Sequence, residues 1–567
     1  MRTSKLSACV LLAATLLANV AACTRPAEGL RNEPTREPRL KQIDASGMQT
    51  FRDTLAGVTE GVGAVTETGA GYDALRVCVL EEQHTSVAGQ LETALMILRL
   101  YERHGLRHIA LEGLTADKSF PATAWYRQLG GPEDEETRHE VLVGLLRDGE
   151  LSAAELIAVA FPDVTVRAAD DPAAYAVGET QTAGMAPTAY LYKIALKSVR
   201  PEHDARLRLL SRQHKVAQLV EFVISLDGWA RERYEVMKST TRRASIEQRL
   251  RDLKEIEARA AFTGAEITAE ERGAMAEARD FFEAGNRRSE SMARAVRELA
   301  PEAPLVALNL GAAHTEVVGR LLADAGLTYA VMSPASLNEN GGSGDIGDES
   351  FERKGKSLSV TGAGEGLGSL LDGRKKPPPV LGKTWLKADA QLRFATALIA
   401  RAQLGPGFPD EGLRRKVDAL DHVRVSWDSV RQVGTDKLFK ASARVEQGWT
   451  DIWGQCGRPR AALIPLQRRS LEDLLIANLN LVRRGGGLRT EHTGGPVFEL
   501  ITHDVIAAYS NDPGTFKDIR GDGAAVRRVR GPAAGAADES QSPASASRSK
   551  LIRAVAETSG SGSSNKT

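Results

Sequence analysis

Five short apolar runs, at 75–80, 108–111, 164–168, 305–310 and 328–332, alternate with longer stretches of helical period. That alternation restricts the chain more than any other feature. Short uninterrupted apolar runs match strands buried on both faces, and helical crossovers between such strands build parallel sheets. The first unit sets the pattern. Run 75–80 leads through Glu81-Glu82-Gln83-His84 into Leu91, Ala94, Leu95, Leu98 and Leu100, which recur at near-helical spacing. Gly105 then stands where a C-cap is needed, with His104 in the last turn. The fold class expected is α/β: a mainly parallel sheet flanked by helices, a long helical insertion over roughly 188–299, and a mostly helical C-terminal region.

The N-terminus reads as an address. Arg2 and Lys5 precede an apolar stretch, 7–22, too short to span a bilayer comfortably. It ends in Val20-Ala21-Ala22-Cys23, which resembles the signal box of bacterial lipoproteins. The resemblance implies a signal peptide over 1–22 and an acylated Cys23, whose acyl chains would anchor the protein without a transmembrane helix. Thr24, in place of an aspartate, is similar to cargo sent to the outer membrane. The expected location is therefore the bacterial cell envelope, lipid-anchored at the outer membrane.

Composition changes mark the remaining divisions. Residues 23–45 are polar and carry Pro26, Pro34 and Pro38, as a tether would. The α/β pattern fills 46–336. A glycine-rich, charged linker covers 337–384, a small mostly helical region 385–510, and a serine- and alanine-rich tail expected to be disordered 511–567.

Lysine plus arginine equals aspartate plus glutamate at 74 each, so no net charge favours nucleic acid as a partner. Once Cys9 and Cys23 are set aside with the signal, Cys78 and Cys456 remain, far apart and without Cys-x-x-Cys spacing. A disulfide between them has no support, and a cysteine zinc site is disfavoured. The chain also has no His-Glu-x-x-His, Gly-x-Ser-x-Gly or Walker A motif.

What remains is chemistry at strand ends, where open α/β sheets place their ligands. Run 75–80 ends in Glu81-Glu82-Gln83-His84, run 108–111 in Glu112, and run 305–310 in Gly311-Ala312-Ala313-His314. His84 lies beyond an apolar strand among polar residues, unlike a core histidine. His314 follows small residues that open a helix, whose N-terminus favours neutral imidazole. Glu112 closes a strand, where an unpaired carboxylate would be costly. Asp170 and Asp171 also follow a strand, although Asp-Pro is a common turn and helix-start signal. His104, His108 and His139 fit helix-end or surface roles.

These residues resemble the superfamily that joins Tiki proteases, TraB-like proteins, erythromycin esterases and ChaN-type haem-binding lipoproteins. Its pattern is two Gly-x-x-His motifs, a glutamate at the second strand end, and an arginine in an Arg-(Asp/Asn)-x-x-Met-Ala helix. The matching positions are Glu82 and His84, Glu112, Arg288 with Met292 and Ala293, and Gly311 with His314, within roughly 70–335. The resemblance implies a catalytic set of Glu82, His84, Glu112, Arg288 and His314. It implies hydrolysis of an ester, lactone or peptide, with a divalent metal (manganese, zinc or cobalt) held by His84, Glu112 and His314, or with no metal at all. The alternatives are a haem- or iron-ligand-binding surface lipoprotein of the ChaN type and an inactive structural derivative. Partners are then a small-molecule or peptide substrate and the membrane. Two positions depart from the pattern: Glu81 stands where the first motif has glycine and is expected to modulate the site from its mouth, and Ser289 replaces the acidic or amide residue after the arginine.

Overall fold

The inner strands are apolar on both sides because both of their faces are covered. A computed structural model describes residues 45–82, 86–117, 120, 123–180, 185–238, 245–299, 303–339, 385–446, 448–458, 469–483, 497–500 and 505–513. The expected signal peptide with Cys23, nearly all of the expected tether, His84, most of the expected linker and the residues beyond 513 lie outside the described residues. Six strands form the main sheet: β1 (Gly63–Gly69), β2 (Tyr72–Glu82), β3 (His108–Thr115), β4 (Thr165–Asp170), β5 (Leu305–Gly311) and β6 (Leu327–Pro334), in the order β1-β6-β2-β5-β3-β4. All neighbours pair in parallel except β1, which runs antiparallel to β6 at one edge. The architecture is α/β, as the sequence pattern requires.

Side chains alternate across the strands and so feed two cores. Cys78, Leu80, Ile109, Leu111, Ala307 and Met332 face one side, against α1 (Ala45–Thr59), α2 (Val87–His104), α3 (Glu135–Arg147) and α4 (Ala153–Ala160). Val77, Val79, Ala110, Val306, Leu308, Leu310 and Val331 face the other. The chain reaches that second face after α5 (Pro172–Thr180) and a helical insertion with a core of its own, built on α6 (Met185–Ala195) and α7 (Ile246–Phe262). A 31-residue helix, α8 (Ala269–Leu299), returns to the sheet, and α9 (Thr315–Asp324) follows β5. One end of α8 packs Met275, Ala278 and Phe282 into the insertion core; the other packs Met292, Val296 and Leu299 onto the sheet. Among the described residues no helix is long and apolar enough to cross a membrane.

The C-terminal region corrects the expectation of a mostly helical unit. Its helices are α10 (Leu386–Arg401) and α11 (Leu471–Arg483). Between and after them lies a five-stranded antiparallel sheet: β7 (Val423–Val433), β8 (Asp436–Val445), β9 (Gly448–Gly457), β10 (Val497–Leu500) and β11 (Ile506–Ser510). Its residues alternate with period two, Phe439, Ala441, Ala443 and Val445 entering the core while Lys440, Ser442 and Arg444 face outward. Gly434, at φ 62°, makes the left-handed turn that joins β7 to β8.

This region shares its core with the α/β domain rather than packing on itself. Helix α2 lies between the main sheet and α11, and every residue from Gly89 to Leu100 is buried. Polar ties reinforce the seam. Arg483 donates to Glu92 at 2.8 Å, and Arg99 donates to Glu472 at 2.7 Å. Arg393, fully buried on α10, bonds Asp389 at 2.5 and 3.2 Å and Asp148 at 2.6 Å. Cys78 and Cys456 are both buried and free. Burial pushes each thiol up to about 12, so neither is a nucleophile.

Removing Arg393 leaves the buried Asp389 unpaired. Arg393→Ala is expected to cost about 3–5 kcal/mol, read from the midpoint of urea unfolding. A pH signature accompanies it. Burial pushes the Asp389 carboxyl up to about 6 against the pull of Arg393. Between about pH 4 and 6 the folded chain therefore binds this proton better than the unfolded one, and the contribution to stability falls as pH rises. Thermal unfolding across that window should show the fall in the parent chain and lose it in Asp389→Asn.

Candidate active site

Three strand ends and one helix meet at a single buried ion network. Arg288 sits on α8 between its two packing halves, where the helix leaves the sheet for the insertion. Its Nε and Nη2 bond the two oxygens of Asp170 at 2.7 and 2.9 Å, and Nη2 also reaches Glu112 Oε1 at 2.7 Å. Burial works against the guanidinium charge, but Glu112 and Asp170 outweigh it and hold Arg288 more firmly protonated than a free arginine. Such a planar fork suits two carboxylates at once, which a lysine could not reproduce. Tyr175, on α5, lies with its ring 5.2 Å beneath the guanidinium. Nη1 bonds none of the described residues.

Backbone geometry fixes the carboxylates. Glu112 Oε2 accepts the backbone N–H of Gly311 at 2.5 Å, and Asp170 Oδ2 accepts that of Gly113 at 2.7 Å. Gly113 has φ +85°, and space is open where a Cβ would be, so glycine is needed there for its dihedral and not for room. That turn shifts the register of β3 on β4 after Leu111 and aims the Gly113 N–H at Asp170, the last residue of β4.

His314 completes the group. It is 5% exposed, its Nδ1 lies 2.8 Å from Ser289 Oγ, and its Nε2 lies 3.4 Å from Glu112 Oε1. Ser289 Oγ donates to the Gly285 carbonyl at 3.1 Å, which leaves the hydroxyl lone pair to accept Nδ1–H. The tautomer so assigned puts the basic nitrogen, Nε2, beside Glu112. The serine that departs from the sequence pattern thus supplies the partner that orients the histidine.

The other sequence candidates divide. Glu112, Arg288 and His314 come together. Glu82 does not join them: as the strand alternates, it projects to the opposite face of β2, where Gln90 of α2 donates to it. Glu81 is on the face shared with Glu112, but not at a mouth. It is 1% exposed and accepts from Ser333 Oγ. Glu81 pairs with Leu310, and continuing the β3–β5 register by one residue sets Glu112 on Leu310's other side. Leu310 therefore separates two carboxylates about 10 Å apart at ordinary strand spacing. His84 lies outside the described residues.

Sequence reasoning underrated Asp170 and read Ser289 only as a departure from the pattern. The two aspartates after β4 divide the two readings between them: Asp171 caps the next helix through Ala174 N–H at 2.8 Å, and Asp170 holds Arg288. The described residues fit a divalent ion poorly. Glu112 Oε1 already carries a guanidinium and Oε2 a backbone N–H, and no three described His, Cys, Asp or Glu side chains converge as metal ligands. Haem fits no better, since Ser289 and Glu112 face both nitrogens of His314.

Asp170→Ala removes two of the three bonds that hold Arg288 and leaves a mostly buried cation to Glu112 alone. A loss of about 3 kcal/mol in urea unfolding is expected, with Asp170→Asn recovering part of it.

Comparison with models of known protein families, with curated proteins and with solved structures finds no match to this chain.

Proposed function

We propose that the chain is a hydrolase of an ester, lactone or peptide that works without a metal, anchored to the bacterial outer membrane through Cys23. The resemblance to erythromycin esterases and Tiki proteases supports the reaction class. The observation that carries the reading is the 3.4 Å approach of two acceptors, His314 Nε2 and Glu112 Oε1, beside a guanidinium. A water between them can donate one proton to each and present its oxygen to a carbonyl. Nε2 takes the proton as the bond to carbon forms, and Glu112 stabilises the resulting imidazolium. Arg288 Nη1 is the donor left for the oxyanion. On collapse of the intermediate, His314 returns the proton to the leaving oxygen or nitrogen. Glu82 and Glu81 have no step in this scheme, and the role of His84 is left to mutation.

The test uses p-nitrophenyl acetate and a lactone panel with the purified chain. His314→Ala and Glu112→Gln are expected to lower kcat/KM by about 10²–10⁴ with circular dichroism unchanged. Ser289→Ala releases Nδ1 and lowers kcat more than it raises KM. Parent-level turnover in His314→Ala removes the reading. Full turnover that instead requires an added divalent ion favours the metal-dependent scheme, and a Soret band on titrating haem favours the ChaN-type alternative. Activity gained only in Glu81→Gly marks the present chain as the inactive derivative.

A further inference from the structure

The outer face of the C-terminal sheet is unlike the rest of the surface. Its inner face is closed by α10, with Phe439, Ala441, Ala443 and Ile452 in the shared core. On the outer face β9 presents Trp449 and Trp453, four residues apart and so on the same side, about 13 Å from each other along the strand. Trp449 is 38% exposed, one of few large apolar side chains in the described residues to be so. The other tryptophans of this region, Trp385 and Trp427, use their indole N–H on Glu150 and Asp418. Those of Trp449 and Trp453 bond none of the described residues.

Cations surround these rings. Arg424 lies 4.1 Å above the Trp449 ring, Arg444 stands directly across the ladder from Trp449, and Lys440 directly across from Trp453. Arg431 extends the row on β7, opposite Leu438. Three carboxylates share the face: Asp451 is held by Lys440 at 2.7 Å and Ser442 at 2.6 Å, Asp436 by Gln455 at 2.9 Å, and the exposed Asp428 follows Arg424 and Ser426 at period two on β7. The guanidiniums of Arg431 and Arg444 bond none of the described residues, and Arg424 has only the indole ring.

We propose that this face binds a carboxylate-bearing polysaccharide laid across the strands. A flat sheet offers no pocket for a small ligand but suits an extended chain. Indole rings pack against the apolar faces of sugar rings, their N–H groups donate to hydroxyls, and guanidiniums pair with carboxylates in a fork. A bilayer would call for several projecting aliphatic side chains, yet Leu438 and Ala508 are buried on this face and Val433, 39% exposed, stands alone at the hairpin end of β7. Single-stranded nucleic acid also stacks on tryptophan and is one outcome of the test.

The full chain, with tryptophan fluorescence and calorimetry as readouts, is titrated with polygalacturonate, neutral dextran, vesicles of phosphatidylglycerol, and a poly-dT oligonucleotide. The expected result is saturable, salt-sensitive binding of polygalacturonate and at least tenfold weaker binding of dextran. Trp449→Ala and Arg444→Gln, both on the exposed side of a sheet whose core they do not enter, should each weaken it about tenfold or more with thermal unfolding unchanged. No binding of polygalacturonate, binding that both variants leave intact, or binding of vesicles or oligonucleotide alone overturns the proposal. Ester hydrolysis is measured alongside. Its presence or absence bears on the strand-end site and not on this face.

Discussion

The buried guanidinium of Arg288 is the constraint on which the sheet's working end depends. A strand end satisfies its last backbone groups with water or with a neighbour, and here water is largely excluded. Glu112 and Asp170 take up N–H groups from adjacent strand ends, Gly311 and Gly113, and each then needs a cation to be tolerable in a dry setting. Arg288 serves both at once, because α8 is long enough to pass over the sheet edge. The network joins β3, β4, β5 and α8 through five hydrogen bonds with charged partners. Loss of Arg288 leaves two carboxylates side by side in a dry setting, whereas loss of either carboxylate leaves Arg288 paired with the other.

The same helix explains why this point, rather than another, is the candidate site. Arg288 and Ser289 occupy the turn of α8 between its contacts with the insertion core and its contacts with the sheet. Side chains at such a junction are held by two packed bodies and exposed to the seam between them. Ser289, 0% exposed, turns that rigidity into orientation by bonding His314. Gly285, one turn earlier, admits Ile246 of α7; an added Cβ would meet its Cδ1 at 2.9 Å. Close packing of α7 on α8 and the position of the histidine are therefore linked through one helix.

The apolar runs and helical periods were sufficient to read the α/β domain, because buried parallel strands leave no polar alternation to confuse them. Strand β1 escaped for the opposite reason: Gly63–Gly69 is an edge strand with threonine and glutamate in it, and it has almost no apolar content. The C-terminal sheet was legible in principle, as Val423, Val425 and Trp427 alternate with Arg424 and Ser426, and Gly434 marks the hairpin. At the site, period two was again the overlooked rule. Glu81 and Glu82 are consecutive in a strand, so only one of them can share a face with Glu112, and it is Glu81. The motif resemblance placed Glu82 in the site; the alternation takes it out.

Glu81 then bears differently on function than its sequence position suggested. A carboxylate in place of glycine at the site mouth would crowd or repel a ligand. Instead Ser333 on β6 meets it, Thr66 on β1 stands 3.0 Å behind that serine, and Leu310 shields it from Glu112. The chain has thus taken a carboxyl group into the middle of its sheet and supplied hydroxyls from β6 and the edge strand β1 to hold it. Such a group is anchored by β1 and β6, not by the Arg288 network, and the two polar clusters are divided by one leucine. A change at Glu81 should be felt first in the pairing of β1 with β6, while the geometry at His314 rests on Ser289 and Glu112.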